Sequence, residues 1–288
     1  MRHAAVAAIV FNALVWGLSW WPMRHLQDHG LHPLWTTAVV YLVMAVLLLA
    51  LRPAAWRALI ANPGLWLLAL FTGLTNVGFN WAVTVGDVVR VVLLFYLMPA
   101  WSVLVAWVLL GEKPSAGSLL RLALAMTGVM IVLKTPASPW PWPQGANDWL
   151  AILGGFSFAV TNVLLRRSTA MTTGARMLAM FGGSGLMAAA VALAGASAQI
   201  VPLPALQMAG IPVLLALGAA LMACNAALQY GAVRLAASTT AIVMLTEILF
   251  ASVSSAALGA AEFSVRILLG GSLIVLAAVL AALAPSKK

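Results

Sequence analysis

The chain has 288 residues, of which 64% are hydrophobic and only 7% charged, and its mean hydropathy is +1.06. Soluble domains are roughly 45–50% apolar, so a water-bathed core is excluded, and spans of about 20 apolar residues leave no length for a separate soluble domain. The net charge of +9 does not mark a nucleic-acid protein, because no Lys/Arg run exceeds two residues and the basic residues fall between apolar segments.

Charges, prolines and polar clusters predict ten spans, near 4–22, 33–51, 64–85, 90–110, 117–134, 148–166, 175–195, 208–231, 236–258 and 265–284. Arg2 and the apolar stretch after it have the form of a signal peptide. That stretch ends in Trp20, Trp21 and Pro22 rather than small residues, so it reads as a retained first helix. It carries Asn12, Trp16 and Trp20 at four-residue spacing, hence on one face. His25, His29 and His32 follow in the first external loop, where a solvated loop is favoured over a metal or pH-sensing cluster. The third span holds Asn76 and Asn80, and the fourth holds Tyr96, Met98, Pro99 and Trp101. Pro99 lacks a donor, so a backbone carbonyl opens in that span and a discontinuous helix is expected there. Residues 135–147 cannot continue a helix through Pro136, Pro139, Pro141 and Pro143, and they form a linker between residues 1–134 and 148–288. Trp140 and Trp142 in that linker suit a membrane interface. Beyond it come Phe158 and Asn162 in the sixth span, Asn225, Gln229 and Tyr230 in the eighth, and Glu247 in the ninth. Cys224 is the only cysteine, so neither a disulfide nor a Cys-based metal site is available; no metal and no cofactor are expected.

Alternating the loops puts Arg2, Arg52, Arg57, Lys113, Arg121, Arg166, Arg167, Arg176, Arg234, Lys287 and Lys288 on one side. Arg24, Arg90, Lys134 and Arg266 fall on the other, and the positive-inside rule then makes both termini cytoplasmic. Sliding the chain on itself by 148 residues matches Trp101–Leu110, after Pro99, to Leu249–Leu258, after Glu247. An offset of 142 aligns Trp16-Gly17 with Phe158-Ala159 and Arg24 with Arg166. The match is either chance similarity among Leu/Ala-rich helices or a repeat. Five spans is an odd number, so a repeat would be inverted, as in alternating-access transporters with a substrate site near the midplane.

Asn12 to Gly17, the run Phe95-Tyr96-Leu97-Met98-Pro99 continuing to Leu110-Gly111-Glu112-Lys113-Pro114, and Glu247 to Glu262 resemble the EamA-type repeats of the drug/metabolite transporter superfamily. The resemblance covers nearly the full length. Within the superfamily the chain is most similar to the YddG-type bacterial exporters of aromatic amino acids, which share Tyr-Leu-x-Pro, here Tyr96-Leu97-Met98-Pro99. The second half departs from the family's Leu-Gly-Glu, reading Leu258-Gly259-Ala260-Ala261-Glu262. The resemblance implies an all-α integral membrane protein of ten transmembrane helices in two five-helix inverted repeats around a central cavity. It also implies residence in the bacterial inner membrane and export from the cytoplasm.

Glu247 is the only acid inside a predicted span, where a charge costs about 3 kcal/mol or more on insertion scales. It binds a substrate ammonium, cycles a proton, or braces a helix pair. Asn12, Asn76, Asn80, Asn162, Asn225 and Gln229 should point inward, as pathway contacts or as interhelical glue. Asn76 with Asn80, and Asn225 with Gln229, form stripes in repeat-equivalent spans. Trp16, Trp20, Tyr96, Trp101, Phe158 and Tyr230, with Met98, complete the candidate substrate contacts, core packing or interface anchoring being the other role open to each aromatic. Gly182-Gly183-Ser184-Gly185 fits a G-x-S-G nucleophile motif, but all four histidines lie at or before residue 32, away from the later helices. Walker A, Rossmann and H-E-x-x-H patterns are absent from the sequence. The expected function is therefore export of aromatic and large apolar amino acids, with Thr or Met as weaker substrates, by alternating access. A channel, or an exporter of other metabolites or drugs, is the alternative. A chain with its own pseudo-twofold makes a pathway alone, so a monomer is expected whose partners are the bilayer and a small-molecule substrate. A reporter fused after Lys288 should be active only in a cytoplasmic format, and periplasmic activity would break both the span count and the inverted repeat.

Overall fold

The computed structural model describes residues 2–85, 88–133, 143–205, 207–259 and 264–284. The sequence expectations for Lys134, the prolines and tryptophans of residues 135–142, Glu262 and the two C-terminal lysines lie outside the described residues, as does the side chain of Arg90. All regular elements among the described residues are helical. They are α1 (Arg2–Leu18), α2 (Trp20–Asp28), α3 (Pro33–Leu51), α4 (Ala54–Ala61), α5 (Pro63–Val85), α6 (Val88–Phe95), α7 (Met98–Leu110), α8 (Ala116–Leu133), α9 (Ala146–Arg167) and α10 (Thr173–Ser197). After a short 3₁₀ turn follow α11 (Ile211–Ala232), α12 (Ala237–Met244), α13 (Thr246–Ala257) and α14 (Val265–Leu283). Nine helical segments among the described residues are long and apolar enough to cross a membrane, or ten if α4 and α5, bent by 96°, count as one.

Three interruptions depart from continuous spans, and each has a local cause. Between α1 and α2 the Ser19 hydroxyl donates to the Trp16 carbonyl at 2.7 Å. The helix then runs on to Asp28, beyond the expected end, because Pro22 sits in the first turn of α2, where its missing N–H is not needed. The fourth span breaks at Tyr96-Leu97, just before Pro99. Pro99 cannot donate to the Phe95 carbonyl, which instead faces Gly155 of α9, where any Cβ would collide with it. The ninth span breaks at Leu245 without a proline; there the Thr246 hydroxyl turns back onto the Val243 carbonyl at 2.8 Å. Leu97 and Leu245 are 148 residues apart, the repeat offset of the sequence. The segment 54–61, read from the sequence as part of a basic loop, is helical.

Helix α5 packs on α9 and α10, α3 on α10, α8 on α14, α1 on α11, α12 and α13, and α6 and α7 on α9. Small residues permit this closeness. A Cβ on Gly128 of α8 would meet the Gly270 carbonyl of α14 at 2.6 Å, and one on Gly183 of α10 would run into the Ala69 backbone of α5. The loops gather at two ends. At one, the backbone amides of Ala205 and Gln207 donate to the carbonyls of Gly30 and His29 at 3.0 and 3.2 Å. At the other, Arg2 donates to the Ala281 carbonyl at 3.1 Å, Arg166 pairs with Glu112, and Arg176 donates to the Ser168 carbonyl at 2.9 Å. This second end carries the larger basic group.

The histidines of the first loop are structural. His25 and His29 stack at 4.2 Å, and His32 caps α3 by accepting from the Leu34 amide at 3.3 Å. Burial holds His32 below its usual pKa, which keeps it neutral, as an acceptor must be.

Gly183→Ala should force α5 from α10 and cost about 2 kcal/mol, whereas Gly182→Ala, whose Cβ would meet nothing within 4 Å, should be neutral. Thermal unfolding of the two purified variants in detergent checks the contrast.

Candidate functional site

A cavity lies among the helices that carry the interruptions. Helix α5 contributes Thr72, Thr75, Asn76, Phe79 and Asn80, spaced as one helical face, and α11 contributes Leu221, Cys224, Asn225 and Leu228 in the same spacing. The first four of α5 map onto the four of α11 at a constant offset of 149. Asn12 and Trp16 of α1, Tyr41 of α3, Phe95 of α6, Met98 of α7, Phe158 and Thr161 of α9, Met180 of α10, Met244 of α12 and Glu247 of α13 close it. Its volume is about 80 Å³, room for about half a dozen waters.

The chemistry of the lining is divided. Phe79 and Phe95 stand 4.7 Å apart between ring centroids, and Phe158 lies 6.3 Å from Phe95, so one wall is phenyl. Amides face it. Asn76 donates to the Ser184 hydroxyl at 3.0 Å and Asn80 to the Thr37 hydroxyl at 2.7 Å. Asn12 donates to the Met244 sulfur at 3.2 Å, and its buried carbonyl oxygen has no hydrogen-bond partner. Glu247 sits in the first turn of α13, where the helix dipole favours a carboxylate, and the buried Tyr96 hydroxyl donates to it.

Of the residues singled out in the sequence, Asn12, Trp16, Asn76, Asn80, Met98, Phe158, Asn225 and Glu247 are brought together around this cavity. Tyr96 reaches it through Glu247. Gln229 is fully buried one turn below, donating to the Asn225 carbonyl at 2.8 Å and accepting from Arg176 at 3.1 Å. Trp20 is elsewhere, donating to the Ser254 hydroxyl at 3.0 Å; Trp101 stacks edge-on against Phe156 at 5.8 Å. Tyr230 points outward beneath the Arg234 guanidinium, 3.8 Å from its ring, because it follows Gln229 by one residue and about 100° of helix. Asn162 is buried on α9, off the cavity, with neither amide atom bonded. Pro99 lies in the first turn of α7 and acts through the Phe95 carbonyl. Ser184, in the G-x-S-G run, is occupied by Asn76. The sequence reading did not include Tyr41, Phe79, Met180 and Met244. Only Phe79 had a signal, its place one turn beyond Asn76. Arg176, counted with the loop cations, is instead 5% exposed.

A second, larger cavity of about 590 Å³ opens at the basic end, lined by Arg2, Lys113, Arg121, Arg166 and Arg234, with Glu112 the one acid among the described residues that line it. Glu112 pairs with Arg166 at 2.6 Å, and Arg166 also donates to the Leu235 carbonyl. These bonds tie the α7–α8 and α11–α12 connections to the end of α9.

Comparison with known proteins agrees with this architecture. Residues 3–134 match the EamA-like transporter family. The first half of the chain is thus similar to EamA-like transporters, and the described residues form an all-helical, multi-pass membrane protein. A solved crystal structure with 18% identity superimposes with a TM-score of 0.79, over 98% of this chain and 97% of that one, a likeness of fold. No curated protein matches the sequence.

Gln229→Leu should leave the buried Arg176 without one of its acceptors and cost about 2 kcal/mol, the worth of a hydrogen bond to a charged group. A lowered thermal midpoint, partly recovered by also changing Arg176 to Met, would show the coupling.

Proposed function

We propose that the chain is a secondary transporter that exports small organic molecules, foremost aromatic and large apolar amino acids, from the bacterial cytoplasm by alternating access. The carrying observation is the lining of the central cavity: a phenyl wall, amides and one carboxylate at a helix break. A ring-bearing side chain packs on Phe79, Phe95, Phe158 and Trp16. Its ammonium is drawn to Glu247 and the free carbonyl oxygen of Asn12, and its carboxylate to the amide N–H groups of Asn225, which otherwise donate only to the Met180 sulfur at 3.7 Å.

Ten spans in two inverted halves, 1–134 and 148–288 joined by the linker at 135–147, are consistent with most of the packing, the contact of α5 with α10 being closer than its counterpart of α3 with α11. Exchanging the halves turns the pairing of α1 with α11 into that of α5 with α9, and α1 with α12 and α13 into α9 with α6 and α7; α3 with α10 and α8 with α14 map onto themselves. The offsets of the two helix breaks and of the two lining stripes, 148 and 149 residues, support the same exchange. Both termini are then on the basic, cytoplasmic face.

Reconstituted in liposomes, the protein should carry labelled Phe, Tyr or Trp and show counterflow; transport restricted to polyamines or nucleotide-sugars, or plain ohmic conductance, would remove this assignment. Glu247→Gln should be well expressed yet slow transport about tenfold or more, since the carboxylate is worth its insertion cost only in use. Normal transport by that variant would take Glu247 out of the mechanism.

A further inference from the structure

The two cavities stand on the same three helices. Met98, Phe158 and Met244 line the central one, and Ala106, Arg166 and Ala236 the basic vestibule. On α7, on α9, and on α12 with its N-cap residue Ala236, helices that pack against one another, each pair is eight residues apart. Ser102, Asn162 and Thr240 fall midway, four residues from either end and so on the connecting faces. All three are at most 1% exposed. The hydroxyls of Ser102 and Thr240 and both amide atoms of Asn162 have no hydrogen-bond partner, and their burial puts them out of reach of water as well.

Four such atoms in one layer are a net cost to this packing, since buried polar groups are nearly always bonded and an unbonded one forfeits its hydration for nothing. An apolar side chain of similar size would serve a purely structural seam better. A polar layer between two cavities is instead what a path needs when it is closed in one state and wetted in another.

We propose that the cytoplasmic half of the transport path runs from the basic vestibule through a collar of Ser102, Asn162 and Thr240 into the central cavity, the vestibule receiving the substrate's carboxylate. This rests on the transporter reading above. Arg2, Lys113, Arg121 and Arg234 line the vestibule without an acidic partner among the described residues, the one acid there, Glu112, being engaged with Arg166. The bonds of Arg166 to Glu112 and to the Leu235 carbonyl hold the collar shut from its vestibule end.

Thiol labelling tests the path whatever the substrate is. Ser102→Cys, Asn162→Cys and Thr240→Cys, in sealed vesicles of either orientation, are exposed to membrane-impermeant methanethiosulfonates, and modification is read site by site by mass spectrometry so that native Cys224 is counted separately. The collar thiols should react from the vestibule-bearing face, whereas Leu104→Cys, on the outward face of α7, should not. After normalisation to a free thiol, the sulfonate reagent should react about threefold or more faster than the trimethylammonium one, because the vestibule concentrates anions. No reaction at any collar thiol from that face overturns the path, and equal normalised rates overturn the carboxylate assignment. In transport assays the combined Ser102→Ala, Asn162→Leu, Thr240→Val protein should unfold at a higher temperature, bind substrate in detergent as the parent does, and carry it about tenfold more slowly. Parental transport rates, or a lowered midpoint, would overturn the collar. A parent that carries no amino acid would remove the proposed function while the labelling result stands.

Discussion

In hydrocarbon a polar group that loses its partner cannot fall back on water, and the architecture is organised around that penalty. It makes every described element a helix, since only a helix satisfies its own backbone. It also governs where helices stop. At Ser19 and Thr246 a side-chain hydroxyl bonds a carbonyl of the preceding turn, and the Phe95 carbonyl, deprived by Pro99, is pressed against Gly155 inside the bundle rather than turned to lipid.

The same penalty sorts the interior side chains into two kinds. Asn76 with Ser184, Asn80 with Thr37 and Gln229 with Arg176 are bonded pairs that join helices and orient the lining. Asn12 keeps one free oxygen, Thr161 a free hydroxyl, and Asn162, Ser102 and Thr240 are wholly unmatched. The unmatched atoms concentrate on α1, α7, α9 and α12, the helices between the central cavity and the basic end. The bonded amides sit mainly on α5 and α11. Bonded and unmatched polar groups are thus given to different helices.

The breaks in the fourth and ninth spans are alike in place and different in chemistry. Leu97 and Leu245 interrupt their spans at matching positions, yet one break is followed by a proline and the other by a carboxylate, so that the backbone shape is kept while the charge is confined to one side of the cavity.

Composition and periodicity determine a great deal in such a chain, because the bilayer acts as a solvent that reads average hydropathy over twenty residues. Helix α3 spans 33–51 as the sequence predicts, and Pro99 announces the interruption beside it. Asn12, Asn76, Asn225 and Glu247 were legible as inward residues because a polar group in an apolar span stands out. The small helix at 54–61 was not, since eight residues flanked by arginines carry too little hydropathy to register. Nor were Tyr41, Met180 and Met244, whose apolar character has no contrast in a sequence that is 64% hydrophobic. The rotation of each helix about its axis was decided only by tertiary packing. That rotation turns Gln229 inward and Tyr230 out, buries Arg176 although its neighbours are loop cations, takes Trp20 and Trp101 away from the cavity, and sets Ser102, Asn162 and Thr240 in one layer. The membrane constrains how much of a helix is apolar, whereas only contacts with neighbouring helices choose which face looks at which.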